Sequence, residues 1–227
     1  MASAPVSAAV KRRMQEILKV LWREYPEAEC SLKFETPFQL LVAVMLSAQC
    51  TDERVNQVTP ELFRVFPDAE AMAHGKLEEI RHLIRSVNFF NNKSKALYET
   101  SRLLVAHHGG QVPRNLDDLV KLRGVGRKTA NVVLGVGFGV PSLVVDTHVG
   151  RLSRRMGFTQ SSDPAKVELE LVKIVPKENW TEYAHLLIAH GRKICTARKA
   201  LCDECPVKQY CPKVGVAGRS SGRVHCK

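Results

Sequence analysis

The chain has 227 residues, enough for one large domain or two modest ones around a buried core. Lys and Arg number 34 against 23 Asp and Glu, a formal net charge of +11, which favours a polyanionic partner because each neutralised phosphate releases condensed counterions. No apolar run reaches the ~20 residues of a membrane helix, and residues 1–9 lack a charged stretch followed by an apolar one. Neither a membrane-spanning protein nor a secreted one is expected, a protein that meets an anionic membrane surface being the alternative to a nucleic-acid partner, and a reducing, cytoplasmic setting is expected for the seven cysteines.

In chain order, almost every periodic segment has the helical spacing, so the predicted fold class is all-α. Val10, Met14, Ile17, Leu18, Leu21 and Trp22 form one apolar stripe, with Tyr25-Pro26 as its stop. Phe38 to Leu46, interrupted by Gln39, reads as a buried helix. Leu77, Ile80, Leu83 and Ile84 make a short stripe; Leu97, Leu103 and Leu104 mark a helix ended by Gly109-Gly110. A helix from about Leu116 to Leu122 meets Gly124-Val125-Gly126, and another begins at Arg127. Asp163-Pro164, a capping Asp and a Pro at the first helical position, opens a helix through Val167, Leu171 and Ile174 that stops at Pro176. Trp180 to His190 gives one more, ended by Gly191. No segment alternates like a half-buried strand. Residues 213–227, polar and glycine-containing from Gly215, are expected to form a mobile tail.

Three places carry chemistry. In the hairpin, Gly124 and Gly126 permit a tight turn, and backbone N–H groups at such a turn followed by a helix start can take a phosphate oxygen. Lys128 lies in the first turn of the second helix, where the positive helix end disfavours a cation and so favours the neutral, nucleophilic amine; a simple phosphate-binding lysine is the alternative. Asp146, after Val144-Val145 and before a helix, is an N-cap by pattern, and a carboxylate there can also stabilise positive charge on a sugar. His148 is read as structural or phosphate-contacting. Cys195, Cys202, Cys205 and Cys211 follow the spacing CX6CX2CX5C, which suits a [4Fe–4S] cluster or zinc. Arg198 and Lys199, inside the first gap, would be held rigidly for phosphate contact.

The segments LSAQCTD (Leu46–Asp52), LRGVGRKTANVVL (Leu122–Leu134) and VDTH (Val145–His148), followed by the four cysteines, resemble the endonuclease III family in kind and order, over residues 10–212. The resemblance implies a bifunctional DNA glycosylase and AP lyase that excises oxidised or ring-saturated pyrimidines from duplex DNA and nicks the strand. It implies two helical domains with a DNA-binding cleft between them. Residues 30–140 would form a six-helix domain with the hairpin, and residues 1–29 with 141–227 a discontinuous domain carrying a [4Fe–4S] cluster on the four cysteines. By motif position Lys128 would be the Schiff-base nucleophile and Asp146 its charge-stabilising partner. Gln49 would fill the gap left by the flipped nucleotide, and Phe89 of Asn88-Phe89-Phe90 would be the intercalating wedge. Gly124, Val125, Gly126, Arg127, His148, Arg198 and Lys199 would contact DNA, and the protein would act as a monomer. An adenine glycosylase of the same fold has another residue at the lysine position. Two departures stand out: Arg123 where the hairpin commonly has Pro, adding a charge beside the presumed phosphate site, and Cys50 where Thr or Ala is usual.

Overall fold

Most helix starts in this chain are set by a side-chain cap. In the computed structural model, which describes residues 6–216, Ser7, Thr36, Thr51, Asp68, Asn115, Asp146 and Asp163 each accept a backbone N–H of the turn that follows. Each cap satisfies a donor that the helix itself leaves without a partner. The helices are α1 (Ala8–Glu24), α2 (Pro37–Ser47), α3 (Asp52–Val65), α4 (Ala69–His74), α5 (Leu77–Leu83), α6 (Phe90–His108), α7 (Leu116–Leu119), α8 (Arg127–Val132), α9 (Thr147–Arg155), α10 (Pro164–Leu171) and α11 (Trp180–Lys193). A π-helical segment, Val133–Gly137, continues α8, and a 3₁₀ turn, Lys177–Asn179, precedes α11. Among the described residues there is no strand, only an isolated bridge between Cys195 and Ala200. No helix there is long and apolar enough to cross a membrane.

The chain divides into two units. One comprises Glu29–Val144 with Lys177–Glu182. Its centre is α2, where every residue from Phe38 to Leu46 is buried, as expected of a helix apolar on all sides. Helices α3, α6 and α8 and the π segment pack on it, and Leu62, Leu97, Leu122, Val125 and Val133 belong to the same core. The π segment closes against a buried polar brace: Ser142 Oγ donates to Asn131 O (2.5 Å), and Asn131 Nδ2 to Leu143 O (3.2 Å).

The other unit comprises residues 6–28, 145–176 and 183–216 of the described chain. Met14, Ile17, Leu18 and Leu21 are the buried face of α1. Arg13 on that helix donates to Met156 O (2.6 Å) and Tyr210 O (3.0 Å) and lies over the Phe158 ring. Tyr183, fully buried, shares a hydrogen bond with Ser153 at 2.9 Å.

Several boundaries differ from those predicted. Trp22, expected in the α1 stripe, is 45% exposed, because the four aliphatic residues already complete the buried face. Helix α7 spans only Leu116–Leu119, and Leu122 enters the core from the turn beyond it. Helix α10 ends at Leu171, and Ile174 and Val175 are buried in the turn before Pro176. Gly191 does not end α11, which runs on to Lys193. A Cβ at Gly191 would lie 2.6 Å from His148 Nδ1 and 3.0 Å from Arg151 Nη2, so glycine there serves close helix approach rather than termination. Of the expected tail, residues 217–227 lie outside the described residues.

Gly135, in the π segment, would place a Cβ 2.6 Å from Thr181 Oγ1 and 2.7 Å from Ser142 Oγ. Both are short side chains with little room to withdraw. Gly135→Ala is therefore expected to destabilise the protein by about 1–3 kcal/mol, read from urea unfolding midpoints at unchanged m-value.

Candidate active site and metal centre

The hairpin turn owes its shape to Gly124 and its openness to Gly126. Gly124 has φ +76°, and a Cβ there would stand 3.1 Å from Ala96 Cβ and 3.4 Å from Met45 Cε. Glycine is thus required twice, by backbone and by space. Gly126 is the N-cap of α8 in ordinary extended conformation, with nothing within 4 Å of an added Cβ and no side-chain cap on the helix it starts. Val125 between them is buried and anchors the turn in the core, so its side chain is withdrawn from any ligand and only its backbone can serve the DNA contact predicted for it. Arg127 and Lys128 are exposed in the first turn of α8. The charge expected from Arg123 is engaged elsewhere, since its Nε meets Glu99 Oε2 at 2.8 Å. Its carbonyl accepts from Thr100 Oγ1 at 2.7 Å, fixing the entry to the turn.

Asp146 caps α9, with Oδ1 accepting from Val149 N at 2.8 Å, and is half-buried. His148, two residues on, meets Arg151 Nη2 through Nδ1 at 3.1 Å and packs against Gly191. Arg151 also donates to the carbonyls of Gly191 and Cys195. The α9 start is thereby joined by hydrogen bonds to the first cysteine of the cluster segment.

Gln49 and Phe89 share an uncommon backbone state. Both are exposed and both lie in the left-handed region, at φ 55° and 59°. Asn88 Nδ2 donates to Gln49 O at 2.8 Å. Lys93, absent from the predicted site, donates to Leu46 O (2.8 Å) and Ala48 O (2.6 Å). Burial holds its amine below the ordinary lysine range. No local pattern marks Lys93, because its partners are on another helix.

Cys195, Cys202, Cys205 and Cys211 line one cavity together with His190 and Arg155. Burial pushes the Cys205 thiol up to about 11 and raises Cys211, and the neighbouring cysteines raise both further. Four thiolates gathered here therefore need positive charge. Some is at hand, since Arg155 Nη1 lies 3.2 Å from Cys195 Sγ while donating to Thr196 O at 2.7 Å. His190 is buried, which lowers it to about 4 and keeps it neutral; Nε2 lies 3.5 Å from Cys205 Sγ and Nδ1 lies 2.9 Å from the Tyr25 hydroxyl. Among the described residues no three His, Cys, Asp or Glu side chains close on a single metal ion; the thiols stand around the cavity. Arg198 and Lys199 are exposed on the adjoining turn, which Thr196 Oγ1 holds by donating to Lys199 O at 2.6 Å.

The hairpin and its helical setting define a class of DNA-repair protein. Residues 42–177 match the HhH-GPD superfamily base excision DNA repair protein. The endonuclease III of Synechocystis is 50% identical over 206 residues, covering 90% of this chain and 94% of the relative. Two solved structures align with TM-scores of 0.83. A non-covalent endonuclease III–DNA complex is 42% identical and covers 89% of this chain and 95% of that one. A trapped endonuclease III–DNA covalent intermediate, an estranged-adenine complex, is 43% identical and covers 89% and 96%. The chain belongs to the endonuclease III family.

The two hairpin glycines should respond oppositely in the free protein. Gly124→Ala forces a left-handed alanine against Ala96 and is expected to cost about 1–2 kcal/mol or more. Gly126→Ala, at a conformation alanine accepts, should leave stability unchanged or raise it by about 0.4–1 kcal/mol. Thermal unfolding of the two variants without DNA checks this.

Proposed function

We infer that this chain is a cytoplasmic, monomeric DNA glycosylase and AP lyase of base excision repair, acting on oxidised or ring-saturated pyrimidines in duplex DNA. The observation that carries the reading is the exposed amine of Lys128, at the uncapped start of α8 directly after the glycine turn. It occurs in a chain 43% identical to an endonuclease III trapped as a covalent intermediate with DNA.

In the reaction the neutral Nζ of Lys128 attacks the sugar carbon that bears the flipped base. The glycosidic bond breaks and the base departs with its electron pair. The sugar ring opens to leave an iminium between Nζ and that carbon. A proton is then lost from the next carbon, and the bond to the 3′ phosphate oxygen breaks by β-elimination. Hydrolysis of the Schiff base returns the amine. The half-buried carboxylate of Asp146 stabilises the positive charge that develops on the sugar, while its hydrogen bond to Val149 holds it in place. Backbone N–H groups of the Gly124–Gly126 turn and the α8 start bind a phosphate oxygen, with Arg127 nearby. Gln49 and Phe89 occupy the space the extruded nucleotide leaves, offsetting part of the unstacking cost.

Cys195, Cys202, Cys205 and Cys211 would hold a [4Fe–4S] cluster. The CX6CX2CX5C spacing in a chain of the endonuclease III family favours this group over zinc. When bound there it would supply positive charge to the thiolates and cross-link the loop, and Arg198 and Lys199 would then be presented to the DNA backbone.

Lys128→Gln should abolish both borohydride trapping and strand cleavage on duplex DNA carrying one oxidised pyrimidine, while DNA binding persists. Asp146→Asn retains a capping oxygen and should lower base excision by orders of magnitude, with an abasic site still trapped slowly. Borohydride trapping by Lys128→Gln at wild-type yield would overturn the assignment. Gly126→Ala, stable in the free state, should weaken DNA binding roughly tenfold; unchanged affinity would remove the turn from the interface. Anaerobically purified protein should be brown with four iron atoms per chain, as expected for a [4Fe–4S] group, and zinc without iron would exclude the cluster.

A further inference from the structure

Gln49 and Phe89 are the exposed left-handed residues of their unit other than glycine. Such a backbone state in a bulky residue is unfavourable and persists only where the surroundings hold it. What holds these two is a single segment. Phe89 O accepts the N–H groups of Asn92 and Lys93, each at 3.0 Å, and so starts α6 without a side-chain cap. From one side of Phe89, Asn88 Nδ2 reaches Gln49 O at 2.8 Å. From the other, the Lys93 ammonium takes Leu46 O and Ala48 O at 2.8 and 2.6 Å. These two are carbonyls at the end of α2, which the helix leaves without partners. A cation at a helix C-terminus also meets the negative end of the dipole, and its hydrogen bonds are charge-assisted. Two donors flanking Phe89 thus capture three carbonyls leading to Gln49.

We propose that Asn88 and Lys93 are positioning residues that lock the Gln49 loop to the start of α6, so that Gln49 and Phe89 enter the DNA as one preset unit. The inference rests on the reading of those two side chains as the ones that enter the duplex. Neither Asn88 nor Lys93 has to touch DNA for this. Their effect is to fix the two strained backbones before DNA arrives, so that binding does not have to order two separate loops. Asn88 alone joins Gln49 directly to the residue before Phe89. Lys93 holds the base of the loop.

The test is a mutant cycle read by affinity for duplex DNA containing a non-hydrolysable tetrahydrofuran abasic analogue. In the wild-type background, the combined effect of Gln49→Ala and Phe89→Ala should differ from the product of the single effects by a factor of about five, as for groups sharing one network. In an Asn88→Ala background, the factors should multiply to within about twofold. Asn88 is exposed, so this variant is expected to fold. Lys93→Met, which keeps the stem and removes the donor, should also abolish the coupling and slow the fluorescence rise of 2-aminopurine placed opposite the abasic analogue. If Lys93→Met does not fold, the Asn88 cycle decides alone. Coupling that survives Asn88→Ala would overturn the proposal, whatever happens to thermal stability, because a merely structural bond changes stability without changing coupling. Single Gln49→Ala and Phe89→Ala variants that bind like wild type would instead overturn the underlying reading.

Discussion

The absence of a polar face on α2 constrains everything around it. A helix buried at every position from Phe38 to Leu46 must be enclosed, because each exposed leucine would forfeit about 1.5–3 kcal/mol of burial. Helices α3, α6 and α8 supply the enclosure. The consequences reach the site. Where α2 emerges, its last carbonyls need donors, which Lys93 of α6 supplies, and the chain leaving the helix there carries Gln49. Met45, on the same helix, presses close enough to the hairpin turn that residue 124 has no room for a side chain. Val125 enters the core that α2 organises, which leaves the backbone of the turn at the surface. One enclosed helix therefore sets where the Gln49 loop begins and how the glycine turn is presented.

Single residues in each unit meet more than one structural need at once. Asp146 satisfies a helix start and keeps a carboxylate at the surface of its unit. Lys93 completes a helix end and fixes a loop. Gly126 differs from Gly124 in leaving space open: nothing in the protein lies within 4 Å of a Cβ added there. Arg123 stands in contrast. Its ion pair with Glu99 is exposed on both sides, and such pairs contribute at most about 1 kcal/mol. It links α6 to the turn through Nε while its side chain stays exposed.

The cysteine segment follows an electrostatic logic. Four thiols that repel one another as thiolates are gathered beside Arg155 and a neutral, buried His190. As bare protein the arrangement opposes ionisation of these thiols, through burial and through their mutual repulsion. Through Arg151, which touches His148 and the Cys195 carbonyl, the α9 start shares hydrogen bonds with the cysteine segment. Order in the cysteine loop and order around Asp146 are therefore linked within one unit.

Local signals carried a large part of this. Helical periodicity, the Asp163-Pro164 start, the Asp146 cap, the glycine pair before Lys128 and the four-cysteine spacing all act over a few residues, where short-range sterics and hydrogen bonding dominate. They were legible without coordinates, as was the all-helical class. What they could not reach depends on which distant segments meet. Lys93 finds its acceptors 45 and 47 residues away, so nothing in its neighbourhood announces it. Gly191 resembles a helix stop until His148 and Arg151 arrive beside it. Arg123 looks like a free cation until Glu99 is placed opposite. Val125 is named as a DNA contact until the core claims its side chain. In each case the residue type was plain from the chain, and only packing decided which of its possible uses was realised, because burial and partner choice are properties of the whole fold.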